Sequence, residues 1–234
     1  MSSVDKKRKV YTLYGSYETR MWNDEVNIHY FDKKRGGKYF LRKCADEAEY
    51  QNLIFNSSLV NSDQVDIWLK GGWSIARELC LYTYLFNKPI SNNTVEKFFK
   101  MKKFDEDIFE EIVLLDKDIF EPYWRSSTLS LFDTLRSCRE TSLYTYKQGK
   151  GLLAYAIVGL TMRSSFLQRF AVHPNIQRSG LGSSMLENIL EDMYKKKMIS
   201  IKLNTQSDNV VAQKLYKNKG FSLSNQKLFV MESE

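Results

Sequence analysis

The sequence predicts a mixed α/β (α+β) protein, and two observations carry that prediction. Short runs in which apolar and polar residues alternate, as strands do, are interleaved with longer runs whose apolar residues recur every three or four positions, as helices require. A glycine-rich turn, Gln177-Arg178-Ser179-Gly180-Leu181-Gly182, joins one run of each kind. Before it, residues 165–172 read SFLQRFAV. After it, residues 183–197 put Met185, Leu186, Ile189, Leu190, Met193 and Tyr194 on one helical face. The turn therefore opens a helix, where free backbone N–H groups and the positive end of the helix dipole point the same way and favour phosphate. Gly180 and Gly182 let the backbone approach an anion with no Cβ in between, and Arg178 adds a positive charge. Taken alone, a glycine pair here reads more readily as a tight connection than as an anion site.

The elements follow in order. Residues 1–9 are polar and basic with no apolar stretch behind them, so they read as a solvated, frayed tail and not as a secretory signal. Residues 26–31 alternate Val26, Ile28 and Tyr30 with polar neighbours; with residues 38–42 they predict a β-hairpin across Gly36-Gly37. Residues 46–55 predict a short helix, and residues 65–70 a strand ended by Gly71-Gly72. The turn-rich residues 87–94 divide an N-terminal region, residues 1–93, from a core, residues 94–234. In the core, residues 95–101 predict a strand. A helix from Asp105 turns Ile108, Phe109, Ile112 and Leu115 inward and is broken by Pro122. A second helix spans residues 127–137. Residues 141–147 and 152–160 predict two strands meeting across residues 148–151, and 165–172 a third. The glycine turn and its helix are followed by a strand at 199–204, a helix from Asn209 and final strand structure over 221–231. No internal repeat is visible.

Composition sets bounds. The 234 residues suffice for one large domain or two small ones. With 43% hydrophobic and 27% charged residues, a folded soluble protein is expected. No apolar run approaches the roughly 20 residues that span a membrane. Three scattered cysteines, Cys44, Cys80 and Cys138, suit a reducing cytoplasm; with only His29 and His173 beside them, no metal-site spacing exists. The net charge of +7 is mixed with 28 acids, a pattern of solvated faces and an anionic small ligand more than of nucleic acid.

The string Val172-x-Pro174-x-x-Gln177-x-x-Gly180-x-Gly182 resembles the pyrophosphate loop of the GNAT acetyltransferases. Downstream, Asn209-x-x-Ala212-x-x-Leu215-Tyr216-x-x-x-Gly220-Phe221 looks like the family's second acetyl-CoA motif. The resemblance is clear over residues 165–221 and looser back to about residue 94. It implies the GNAT fold for residues 94–234, a mixed central sheet with helices on both faces, preceded by a smaller α/β region that serves as lid, dimerisation element or degenerate relative of the core. It implies acetyl-CoA as co-substrate and no metal. Gln177 belongs to the loop motif, and the pyrophosphate would sit on the N–H groups of Arg178, Ser179, Gly180, Leu181, Gly182 and Ser183. The pantetheine would pair along Phe170, Ala171 and Val172 like an added strand, because in this fold that strand splays from its neighbour. Tyr216 matches the family's general acid, which protonates the leaving thiolate; a core aromatic is the competing reading. Asn209 either hydrogen-bonds the cofactor or caps its helix.

The resembling family transfers the acetyl group by direct attack of a primary amine, which must first lose a proton. No Asp or Glu occurs between Thr141 and Leu186, and Gln168 cannot act as a base. His173 stands where the family often has a histidine without a chemical role, which leaves a water chain, Glu140 or Asp208. The two early helices and their connection wall the acceptor side in the family. Here that connection, Phe120-Glu121-Pro122-Tyr123-Trp124-Arg125, mixes aromatics with single charges. Tyr123, Trp124, Gln168, Asn204 and Gln206 are the expected pocket residues. The expected protein is a cytoplasmic N-acetyltransferase acting on a small-molecule or protein amine, not bound to membrane, with a homodimer left open. Two other readings compete: a non-catalytic acyl-CoA sensor, and an acetyltransferase for aminoacyl-tRNA, which the charge permits but no basic stripe with interleaved aromatics supports.

Overall fold

The computed structural model describes residues 7–87, 99–101, 106–149 and 151–233. The chain forms two compact units. The first comprises Met1–Cys80 with Gln206–Asp208 and Asn225–Glu234; the second comprises Leu81–Thr205 with Asn209–Ser224. The expected divide at 87–94 falls largely outside the described residues, as do residues 95–98 of the first core strand.

In the first unit, strands β1 (Arg8–Tyr11), β2 (Ser16–Met21) and β3 (His29–Arg35) form an antiparallel meander. Helix α1 (Lys38–Tyr50) then returns the chain to β4 (Phe55–Ser57), parallel to β3. After β5 (Val60–Asn61), α2 (Val65–Leu69) leads into β6 (Trp73–Leu85), whose first eight residues belong to this unit. The core is aromatic: Phe31, Phe40, Phe55, Trp68 and Trp73 are all buried, and Tyr17 stacks on Phe31.

Three expectations fail here. The hairpin partner of β3 is the upstream β2, and residues 38–42 begin a helix, because Phe40, Leu41, Cys44, Ala45 and Ala48 fall on one helical face. Residues 65–69 are helical, not extended: a five-residue run, Val-Asp-Ile-Trp-Leu, carries too little periodicity to separate the two states. Arg8 and Lys9 lie in β1 and not in a frayed tail, held by strand pairing and by Glu18, which faces Lys7 at 3.1 Å and Lys9 at 3.6 Å.

The second unit holds the later half of β6, β7 (Phe99–Met101), β8 (Glu140–Gln148), β9 (Gly151–Leu160), β10 (Ser164–Val172) and β11 (Ser200–Gln206, the last residue grouping with the first unit), in the order β6-β11-β10-β9-β8-β7. β10 pairs antiparallel with β9 and parallel with β11, so the sheet is mixed. Helices α3 (Glu106–Ile119) and α4 (Thr128–Arg136) cover one face; α5 (Leu181–Lys195) covers the other. Consecutive residues of β8 show the two layers: Leu143 joins the α3/α4 core, and the Tyr144 hydroxyl bonds Asp192 on α5. Ser127 starts α4 with a capping box closed by Ser130. Helix α6 (Val210–Asn218) and the start of β12 (Ser222–Ser233) complete the unit.

The units repeat one order of elements: antiparallel strand pair, turn, helix, parallel strand, short helix, strand. It runs β2-β3-α1-β4-α2-β6 in the first unit and β9-β10-α5-β11-α6-β12 in the second. Residues 55–73 and 203–221 align without a gap. Asn56, Asn61 and Gly72 match Asn204, Asn209 and Gly220, and Trp68 stands where the second copy has Tyr216. Both glycines follow a helix with positive φ, +79° and +85°. With so few identities, this repeat could not be seen in the sequence.

Candidate active site

The glycine turn begins where β10 ends. Pro174–Ile176 form a single 3₁₀ turn, started by His173, whose Nδ1 accepts from the Asn175 N–H at 3.2 Å. Arg178 and Gly180 then take left-handed backbone, φ +62° and +91°, which bends the chain into α5. Gly180 is the N-cap of α5 and offers no side chain to the first-turn N–H groups. A Cβ on Gly182 would meet Val172 Cγ2 at 3.5 Å and Phe170 Cε1 at 3.7 Å, ordinary contact distances. Packing within the chain therefore does not demand glycine at 182. In the first unit the matching turn is only Gly36-Gly37. A Cβ on Gly36 would lie 2.3 Å from the Phe40 ring, so that ring fills the inside of the turn.

Strand β10 opens next to this turn. It pairs with β11 only from Ser164 to Leu167, with Leu203 as the last partner, whereas its pairing with β9 continues to Val172. A bulge at Gln168 marks the parting. Phe170, Ala171 and Val172 thus lie beyond the last β11 partner. The Val172 carbonyl accepts from Gln177 Nε2 at 2.9 Å, which ties the turn to the strand. Tyr216, on α6, is 6% exposed, with its ring 6.1 Å from Tyr82 and 5.8 Å from Phe221. Burial pushes its phenol pKa well above the usual value, so it stays protonated at neutral pH. Asn209 caps α6, its Oδ1 accepting from the Ala212 N–H at 3.0 Å.

The sequence profile of the acetyltransferase (GNAT) family matches residues 108–221, which span the α3/α4 layer, the open strand and both motifs. A GNAT acetyltransferase domain is thus matched over residues 108–221. Among curated proteins it is similar to the [ribosomal protein bS18]-alanine N-acetyltransferase of Escherichia coli K12. The match is 31% identical over 75 residues, 32% of this chain and 51% of that protein. The chain thus spans about half the length of the curated relatives it matches. Among solved structures, a tandem GNAT protein from the clavulanic acid biosynthesis pathway has TM-score 0.68 at 12% identity, covering 94% of this chain and 79% of that one. A GCN5-related N-acetyltransferase from Sphaerobacter thermophilus has TM-score 0.63 at 9% identity, covering 93% and 76%. Both likenesses are of fold.

Tyr123 is buried and stacks edge-on to Trp124 at 4.8 Å, in the 3₁₀ turn before α4. Gln168 faces the same helical layer but reaches the other end of α4, donating to the Thr134 carbonyl at 3.2 Å. Asn204 lies one residue past the last β10–β11 pair, and Gln206 ends β11. The structure does not bring Gln168 to Trp124. Of the base candidates, Glu140 is engaged by Lys196 at 2.7 Å. Among the described residues, no group of His, Cys, Asp or Glu could hold a metal, and no helix is long and apolar enough to cross a membrane.

One cluster escaped the sequence reading. Asp116 of α3 is fully buried. Its Oδ1 accepts from the Tyr155 hydroxyl at 2.6 Å, and its Oδ2 from the Ser126 N–H at 2.9 Å and from Arg169 Nη2. Arg169 also donates from Nε to Tyr155 Oη at 2.6 Å and from Nη2 to the Trp124 carbonyl at 2.7 Å, and lies over the Phe120 ring at 4.4 Å. The signal was the adjacent polar pair Gln168-Arg169 inside an apolar strand. Two neighbouring side chains on one face require a bulge, and an arginine turned towards the helical layer calls for a carboxylate there.

Proposed function

We propose that this protein is an acetyl-CoA-dependent N-acetyltransferase that acetylates a primary amine by direct attack. The observation that carries the reading is the adjacency of two features: the open edge of β10 past Leu167, and the start of α5, where the N-cap is a glycine with no side chain to offer and the glycine at 182 is not forced by packing. The first suits an amide chain laid along a strand, the second a pyrophosphate. Acetyl-CoA supplies the thioester.

Within that reading, Arg178, Ser179, Gly180, Leu181, Gly182 and Ser183 hold the pyrophosphate, and a backbone N–H of Phe170, Ala171 or Val172 stabilises the oxyanion. Tyr216 acts as general acid. The phenol carries its proton at neutral pH, and a positioned donor of this kind contributes roughly 10²-fold. Asn209 holds the start of α6 so that Tyr216 is fixed. Tyr123, Trp124 and Asn204 flank the acceptor.

The partial match to enzymes named for acetylating an alanine of a ribosomal protein favours a protein N-terminus as acceptor. An α-amine, with pKa near 8, also needs a base less than a lysine does, with pKa near 10.4. The first unit serves as a degenerate copy: its turn is short and plugged by Phe40, and Trp68 replaces the tyrosine. Release of free CoA thiol in the presence of peptides with free N-termini, lysine side chains or small amines tests the reading. Tight acetyl-CoA binding with no amine-dependent release would instead mark a sensor module.

A further inference from the structure

Most of the core between the sheet and α3/α4 is Ile, Leu, Val and Phe. One charged cluster interrupts it, and its placement is specific. Arg169 sits immediately after the bulge, at the start of the part of β10 that has left β11. Every partner of its guanidinium is on α3, on the α3–α4 connection or on β9: Asp116, Trp124, Phe120 and Tyr155. Asp116 holds the same connection a second time, through the Ser126 N–H. Arg125 holds it a third time, donating to the Phe120 carbonyl at 2.9 Å and the Lys117 carbonyl at 3.1 Å. The segment from Phe120 to Ser127 is therefore fixed in direction, not merely covered.

A largely buried ion pair such as this one is a poor way to gain stability, since apolar residues of similar volume often do as well or better. What a forked guanidinium adds is geometry, because several donors in one plane set distance and angle together. We propose that Asp116 and Arg169 are positioning residues. They lock the Phe120–Ser127 segment to the open half of β10 and so set the gap in which the acceptor amine meets the thioester. This rests on the acetyltransferase reading and on the α3–α4 connection walling the acceptor side. Neither residue touches the reacting atoms; they act through Trp124 and the strand.

The test compares the wild type with a double variant, Asp116→Leu with Arg169→Met, which removes both charges and keeps the space apolar. Thermal midpoint, acetyl-CoA affinity by calorimetry, and acceptor kcat and KM are measured on each. The expected double variant is folded and binds acetyl-CoA within about twofold of wild type, yet loses at least about tenfold in acceptor kcat/KM, mostly through KM. A double variant with acceptor kinetics within twofold of wild type overturns the positioning role, since an apolar plug then serves as well. Parallel losses of acetyl-CoA affinity and acceptor kcat/KM overturn it too, since the cluster would then be general scaffold. Should the double variant not fold, Arg169→Lys carries the test. It keeps the charge but cannot make the fork, so the same KM increase is expected with acetyl-CoA binding intact, and wild-type kinetics in that variant refute the proposal. A wild type that binds acetyl-CoA but transfers acetyl to no amine removes the underlying acetyltransferase reading, and the proposal falls with it.

Discussion

Gly182→Ala separates folding from cofactor binding because the two should move in opposite directions. The added methyl would lie 3.5 Å from Val172 Cγ2 and 3.7 Å from Phe170 Cε1, so it fits without displacement. Replacing a glycine in the first turn of α5 removes backbone freedom from the unfolded chain, which stabilises the fold by about 0.5–1 kcal/mol. For a chain of this size that raises the melting midpoint by about 1–4 °C. If this turn holds the pyrophosphate, the same methyl narrows the approach to the first-turn N–H groups. Affinity for acetyl-CoA should fall at least about tenfold, a loss of about 1.4 kcal/mol. Scanning calorimetry and titration calorimetry on one preparation read both effects. A variant with a raised midpoint and unchanged acetyl-CoA affinity would refute the assignment of this turn as the pyrophosphate site.

Other perturbations test other links. Tyr216→Phe keeps the ring packed between Tyr82 and Phe221 and removes the proton donor, so kcat should fall about 10²-fold with acetyl-CoA affinity unchanged. Burial raises the phenol pKa values of Tyr144, Tyr155 and Tyr216 above that of the unfolded chain. Their contribution is therefore fully present below about pH 10 and is lost as pH rises towards the folded values. Equilibrium unfolding should show no loss from these groups in the neutral range and a fall above pH 10 approaching about 4 kcal/mol per pH unit if all three ionise only on unfolding; a flat profile to pH 11.5 would contradict it. Ser127→Ala removes one half of the capping box at the start of α4 and should cost about 1 kcal/mol in urea denaturation.

Legibility in the sequence followed how local each determinant is. The second unit was readable because its strands and amphipathic helices carry clean periods. The glycine turn was readable because Gly180 answers a local backbone demand, φ +91°. The first unit was misread where the evidence lies in distant partners. Residues 38–42 resemble a strand until Phe40 and Leu41 are seen packing against Trp68 and Trp73 from much later in the chain. The internal repeat is held by three identities and a succession of elements, so it appears only once the strands are paired. The Asp116–Arg169 cluster joins a helix to a strand some 50 positions away, and nothing local at Asp116 distinguishes it from its solvated neighbour Asp118.

The central claim is acyl transfer to an amine, and transfer of label tests it most directly. The protein is incubated with isotope-labelled acetyl-CoA and a mixture of peptides carrying free N-termini, lysine side chains or both, and the peptides are read by mass spectrometry. The account expects labelled acetyl on an amine nitrogen, dependent on active protein and reduced about 10²-fold in rate by Tyr216→Phe. Acetyl-CoA bound by the protein, with no label on any amine in wild type, would contradict it.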